Sequence, residues 1–298
     1  MTNLLQYDDI SSFIFDVRAA VIAQDSTQQS YFDVYADEAR FGLSVIQEDL
    51  SHLAHGAEIM EIGAGILLLS GYLAQKGFRV HALEPIGEGF SLLRTLQSAV
   101  LRHYENNGVQ LKLLESAIEN ISDTERFDYV FSINVFEHIG NIERGLINSY
   151  LSLRVGGVLR VYCPNYLFPY EPHFNIPTLI SKRLTEIFFK GLIIDSARIS
   201  QAKEVWGGLN WINPIKVRQF CKKHFIREPA FNRLAVYQIM KRVLDDEQYR
   251  ERRPGWVAVF LKVMDRIGLM GLFKLVPVTF SPVMDFIMQR VPFESRKA

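Results

Sequence analysis

Apolar and polar positions along the chain fall into two rhythms. Through roughly the first 55 residues the apolar side chains recur at helical spacing: Phe13, Val17, Ala20 and Val21 in one stretch, then Phe41, Leu43, Ile46, Leu50 and Leu53 in another. That spacing turns one face of a helix toward a core. From Ile59 the rhythm changes to short apolar runs separated by helical stretches. Ile59-Met60-Glu61-Ile62 ends in glycines, and a helical stretch then runs through Leu67, Leu68, Tyr72 and Leu73 to Gly77, which reads as a helix stop. Residues 79–83 are strand-like and end at Glu84-Pro85, and residues 90–104 are again helical. Further short runs lie at 111–114, 129–133 and 158–162, with a helix predicted over 141–153. Strands alternating with helices predict an α/β fold, a Rossmann-like doubly wound parallel sheet with flanking helices, right-handed crossovers, and ligands at the carboxyl ends of its strands.

The pattern divides the chain into a helical N-terminal cap (1–55), an α/β domain (56–240) with an insertion at about 166–212 after the fifth strand, and a helical C-terminal extension (241–298). The insertion should end at Asn213-Pro214, a good N-cap followed by proline at the first helical position. Within it, residues 179–194 read as an apolar-faced helix carrying Lys182, Arg183 and Lys190, and Trp206 and Trp211 flank Gly207-Gly208. In the extension, Trp256, Phe260, Met264 and Ile267 make one helical face, widened by Val257 and Leu261, with Lys262, Asp265 and Arg266 opposite. Charges and prolines break its apolar runs, so none reaches the about 18 residues of a spanning helix.

Composition excludes several classes. With 48% hydrophobic residues the chain is not disordered, and with only Cys163 and Cys221 it is not a disulfide scaffold. Acidic residues near the start, where a secretory signal would be basic, point to a cytoplasmic location. The net charge of +0 hides an asymmetry: residues 1–180 hold 11 basic and 22 acidic side chains, and residues 181–298 hold 22 basic and 11 acidic. A wide apolar face on the basic part could lie at the inner face of an anionic membrane, or pack on the domain or on a second copy as a homo-oligomer. The basic residues are scattered among aliphatic ones, which argues against nucleic acid.

The first strand ends in an acid two positions before Gly63-Ala64-Gly65, and Glu84 ends the next strand about 20 residues later. Glycines let the chain turn sharply and approach a ligand, and a carboxylate at the second position can accept both ribose hydroxyls, so the pattern describes a nucleoside site. A dinucleotide fingerprint would place a small residue where Leu68 stands, and Glu61 would repel a pyrophosphate, so a nicotinamide oxidoreductase is disfavoured.

Together with 127–139 (Phe-Asp-Tyr-Val-Phe-Ser-Ile-Asn-Val-Phe-Glu-His-Ile) and Leu153-Arg154-Val155-Gly156-Gly157, these motifs resemble, in order and spacing, those of the class I S-adenosylmethionine-dependent methyltransferases. The resemblance implies S-adenosylmethionine as cofactor. Glu61 would steer its methionine portion, Gly63 and Gly65 make room, Glu84 take the ribose, and Ser116, Ala117 and Asn134 complete the cofactor set. Two positions depart from the family: Leu67 stands for its third glycine, and Ser116 for the acid or amide near adenine.

Methyl transfer needs alignment and, for a hydroxyl acceptor, a base. His138 and His173 are the candidates, with Tyr166, Tyr170 and Glu171 of the proline-punctuated loop as substrate-binding residues. The alternative readings are a backbone-bonded His138 and a rigid aromatic lid around His173. No metal site is expected, because His52 with His55, and Glu171 with His173, lack further ligands. The expected activity is O-methylation of a small or lipid-linked molecule. Residues 166–174 resemble methyltransferases of surface-polysaccharide pathways, and residues 134–138 resemble ubiquinone-pathway O-methyltransferases acting on quinone precursors. The alternative is a non-catalytic nucleoside-binding subunit of the same fold.

Overall fold

The computed structural model describes residues 7–85, 91–196, 202–224, 227–251 and 253–292. Along the chain run α1 (Tyr7–Gln24), α2 (Gln29–Leu50), β1 (Glu58–Ile62), α3 (Leu68–Gln75), β2 (Arg79–Leu83), α4 (Ser91–Asn106), β3 (Lys112–Leu114), β4 (Phe127–Ile133), α5 (Ile142–Ser152) and β5 (Leu153–Pro164). They are followed by α6 (Lys182–Ile194), α7 (Ala202–Gly208), α8 (Pro214–Lys223), β6 (Ala230–Phe231), α9 (Ala235–Asp245), α10 (Glu247–Glu251), α11 (Gly255–Arg266) and β7 (Val283–Gln289). Phe90, the expected start of the helix that became α4, lies outside the described residues.

The strands form a seven-stranded sheet in the order β3-β2-β1-β4-β5-β7-β6. β1 pairs in parallel with β2 and β4, and β2 with β3, whereas β6 and β7 are antiparallel. The α/β class expected from the alternation of runs is therefore present. By contacts the chain separates into two compact units, one of residues 1–133, 144–160 and 289–298, the other of 134–143 and 161–288.

In the first unit the helical rhythm of the N-terminal residues is explained by what it buries. Ile10, Phe13, Ile14, Val17 and Val21 of α1 and Phe32, Ala36, Leu43, Ile46 and Leu50 of α2 share a core with Leu69, Tyr72 and Leu73 of α3, Leu96 and Val100 of α4, and Ile59 and Phe131 of the sheet. The two N-terminal helices thus belong to the same core as the parallel strands. Packing there is tight at Gly71, where an added Cβ would fall 2.2 Å from the Tyr104 ring. Tyr104 is fixed in turn, because its hydroxyl donates to the Leu67 carbonyl at 2.9 Å. Gly71→Ala is expected to destabilise the protein by about 1–3 kcal/mol through overpacking, read as a lowered denaturant midpoint. An unchanged midpoint would mean that Tyr104 yields without loss.

In the second unit α8 begins as its sequence predicts, Asn213 accepting from the N–H groups of Ile215 and Lys216 with Pro214 at the first helical position. Within residues 241–298, read above as an extension, β7 is a strand of the sheet with Val283, Met284, Phe286 and Met288 buried. α11 is apolar over a wide arc, with Lys262, Asp265 and Arg266 on the remainder. Leu261, with Val257 and Met264, packs against Val243 of α9 and Met270, while Trp256, Val259, Phe260, Val263 and Ile267 stay exposed. The packed stripe is therefore centred on Leu261, and most of the face expected around Trp256 and Phe260 is left to solvent. Among the described residues no helix is long and apolar enough to cross a membrane.

Candidate active site

The first unit brings together Glu61, Gly63, Gly65 and Glu84, the carboxyl-end residues of β1 and β2. The turn after β1 is held by the Leu83 carbonyl, which accepts from Gly63 N–H at 2.8 Å and Ala64 N–H at 3.2 Å. Gly63, Gly65 and Leu67 all have positive φ (77°, 53° and 70°). This is the region that favours glycine, and a leucine there costs about 1–2 kcal/mol. The Leu67 side chain is fully buried in the core, which offsets that cost, so the departure from the family pattern preserves the turn.

Glu84 closes the loop by accepting from the Gly65 N–H at 2.8 Å. Burial raises its carboxyl pKa, and the Gly65 hydrogen bond opposes the rise. Glu61 is buried at the end of β1 and accepts from the Ser70 hydroxyl. Burial pushes its carboxyl up to about 7, with Ser70 acting against the shift and Glu84 adding to it. Ser116 and Ala117 follow β3, the Ser116 N–H donating to the Leu114 carbonyl at 2.9 Å and the Ala117 carbonyl accepting from Asn120 at 3.0 Å.

Two residues of this site escaped the sequence reading. Gln97 of α4 is buried and donates to the Gly65 carbonyl at 2.9 Å. Tyr35 of α2 lies where a Cβ on Gly65 would meet its ring at 3.0 Å, and burial, then Glu84, pushes its hydroxyl up to about 12. Neither belongs to a local motif; only their helical register toward the core hinted at an inward position.

The second unit brings His138, His173, Tyr166, Tyr170 and Glu171 into one neighbourhood. The insertion's first loop folds back on itself, with Glu171 and Ile176 forming an isolated antiparallel bridge. This turns the buried Glu171 carboxylate onto three donors: His173 Nδ1 at 2.5 Å, the Phe174 N–H at 2.7 Å and the Tyr166 hydroxyl at 3.2 Å. Burial pushes Glu171 up, but the hydrogen bond and charge of His173 and the backbone donors outweigh it, so it stays below the usual carboxylate range and ionised. Tyr166 stacks on Trp211 at 4.5 Å, and Trp206 meets both Trp211 and Phe174 edge-on, so the aromatic residues of the insertion brace this loop. Tyr170 donates to Asn175 and is approached by Arg253 at 3.5 Å.

His138 sits in the 3-10 turn Phe136–His138 that follows β4, with its ring centroid 5.2 Å from that of His173. The turn is clamped by Asn210, whose backbone N–H donates to the Glu137 carbonyl at 2.7 Å and whose amide donates to Phe136 and Ile139 at 2.7 and 2.8 Å. Surrounding protein and then the nearby His173 push the His138 imidazole down, with Glu171 opposing, so it is neutral at pH 7. Asn134, also in this unit, has φ 55° and donates its N–H to Tyr162 at 2.7 Å. Glu137, His138 and His173 offer ligand atoms within 4.8 Å of one another, a metal-competent group that sequence spacing did not reveal.

A parallel sheet with an acid before a glycine turn, and a second acid closing that turn, is the arrangement of a nucleoside-dependent transferase. The family model described as a methyltransferase domain matches residues 60–161. An uncharacterized protein of Mycobacterium tuberculosis is 36% identical over 276 residues, 93% of each chain. A ubiquinone biosynthesis O-methyltransferase of Rickettsia akari is 31% identical over 101 residues, 34% of this chain and 38% of that protein. Among solved structures, a sarcosine dimethylglycine methyltransferase of Galdieria sulphuraria, so described with reservation, superposes with TM-score 0.50 at 11% identity over 87% of this chain and 88% of that one, a likeness of fold alone. The chain belongs to the class I S-adenosylmethionine-dependent methyltransferases, and its reaction is methyl transfer from that cofactor. The residues present fit the cofactor: a buried carboxylate for a cationic amine, a turn with glycine at positions 63 and 65, and an acid at the second strand end.

Proposed function

We propose that the enzyme methylates a hydroxyl oxygen, with His173 as general base. The observation that carries this reading is the Glu171–His173 pair, in which a buried, ionised carboxylate orients an imidazole through Nδ1 beside His138. The acceptor oxygen attacks the methyl carbon as the carbon–sulfur bond breaks, the electron pair stays on sulfur, and the hydroxyl proton passes to His173. Tyr166 and Glu171 serve by holding His173, Tyr170 lines the same loop, and His138 is the second imidazole of the cluster. The local identity with a protein named as an O-methyltransferase agrees with oxygen as the acceptor atom. A polysaccharide sugar and a phenolic quinone precursor remain the two acceptor classes, the first resting on residues 166–174 alone. The test is transfer of labelled methyl from S-adenosylmethionine to panels of sugars, phenols and amines. Labelling of amines alone would overturn the reading.

On the cofactor side, Glu61 receives the methionine ammonium, Gly63 and Gly65 admit the chain, Glu84 takes the ribose, Tyr35 and Gln97 shape the loop, and Ser116 and Ala117 lie toward the adenine. Because the Glu61 carboxyl has a pKa near 7, a proton must leave it before it can pair with a cation. Cofactor affinity should therefore be full above pH 7 and fall by up to about tenfold per unit as pH drops below it. Titration calorimetry across pH 5.5–8.5 reads this, and Glu61→Gln should flatten the curve. An affinity independent of pH in the wild type would remove Glu61 from this role.

A second observation favours a peripheral location. Trp256 is 71% exposed, Val259, Phe260, Val263 and Ile267 are exposed beside it, and Lys262 and Arg266 lie on the same helix. Together with the basic excess of residues 181–298, this face suits an anionic lipid surface, where each basic residue contributes about 1 kcal/mol. The protein should sediment with phosphatidylserine vesicles at low salt and less at high salt, and Trp256→Asp with Phe260→Asp should abolish the binding. Equal recovery with neutral and anionic vesicles would contradict it.

A further inference from the structure

We propose that Glu137, His138 and His173 together bind one divalent transition-metal ion, of the zinc or manganese kind. Their ligand atoms converge within 4.8 Å although the residues come from two separate segments of the second unit. Two imidazoles with one carboxylate favour such ions over magnesium or calcium, which prefer oxygen alone. His173 is prepared for the role. Its Nδ1 is committed to Glu171, and a carboxylate behind an imidazole is what fixes the tautomer and aim of a metal-binding histidine. Glu171 is itself held by Tyr166 and the Phe174 N–H. On the other side the turn carrying Glu137 and His138 cannot drift, because Asn210 binds three of its carbonyls.

Charge points the same way. Glu137 and Glu171 are both buried, so an ion beside His173 would lie near two carboxylates in a small volume. Three protein ligands leave coordination positions open, the mark of a catalytic rather than a structural site. The role rests on the proposed O-methylation: the acceptor hydroxyl binds the ion, which lowers its pKa so that the proton leaves to water, and the resulting oxygen attacks the methyl carbon. With the ion present His173 is a ligand; without it His173 is the base.

The test uses the full chain, stripped with a chelator and dialysed against Zn2+ or Mn2+ alone. One ion per chain is expected. His138→Ala, whose residue reaches solvent, and Glu137→Gln should each weaken binding about tenfold or more, and Glu171→Gln by about 10–100-fold through loss of the orienting contact. Affinity for S-adenosylhomocysteine reports that each variant is folded. Substitution with Co2+ should give visible bands that the His138→Ala variant lacks. Failure to bind either ion, or binding unchanged in the folded variants, overturns the proposal. An ion-free wild type that methylates and depends on His173 leaves the base reading standing, whereas an ion-bound enzyme that never labels a hydroxyl sinks O-methylation and keeps the metal site.

Discussion

His173→Ala is expected to lower kcat by about 10²-fold or more while affinity for S-adenosylmethionine stays close to wild type. The separation follows from where the residues lie. His173 belongs to the second unit, and Glu61, Gly63, Gly65 and Glu84 to the first. Truncation removes either the imidazole that accepts the acceptor proton or a ligand of the ion that replaces it, so turnover falls in both cases. Glu171→Gln should lower kcat less, because the imidazole remains but loses the ionised partner that orients it at 2.5 Å. Steady-state kinetics with the cofactor saturating makes the measurement. Full activity in both His173→Ala and His138→Ala would leave positioning as the whole of the mechanism.

Gly63→Val should abolish measurable cofactor binding. Gly63 has φ 77°, which a β-branched residue adopts only with strain, and its N–H is bound to the Leu83 carbonyl at 2.8 Å, so the turn cannot relax without losing its anchor. Glu84→Ala should be milder, weakening affinity by about 1–3 kcal/mol as charged hydrogen bonds to the ribose are lost. It also frees the Gly65 N–H, so part of the loss comes from a looser turn. Titration calorimetry separates the two variants. Wild-type affinity in Gly63→Val would place the nucleoside somewhere other than this turn.

The sequence made the parallel part of the sheet legible because buried parallel strands are short apolar runs with sharp ends: β1, β2, β3 and β4 each stood out. β6 and β7 did not. β6 has only two residues, and Asp285 interrupts the apolar run of β7; that acid is tolerated inside because Asn232 donates to it at 2.7 Å. The cofactor turn was legible because its residues are neighbours in sequence. Tyr35 and Gln97 were not, since only the packing of α2 and α4 brings them to Gly65. The second cluster was half legible. His138 and His173 were visible as chemistry-bearing residues, but their approach depends on the Glu171–Ile176 bridge and on Asn210, 72 residues beyond His138 in sequence, and neither leaves a local pattern. For the same reason Glu137 read only as part of a motif. The α11 face was legible as apolar, but spacing alone does not choose which part of a wide apolar arc packs and which stays at the surface.

The central claim, that one nucleoside site built on Glu61, the Gly63–Gly65 turn and Glu84 serves methyl transfer, is tested most directly by a crystal structure with S-adenosylhomocysteine. The account predicts the amino group against the Glu61 carboxylate and both ribose hydroxyls on Glu84. A nucleoside bound elsewhere, or in this turn with neither carboxylate in contact, would contradict it.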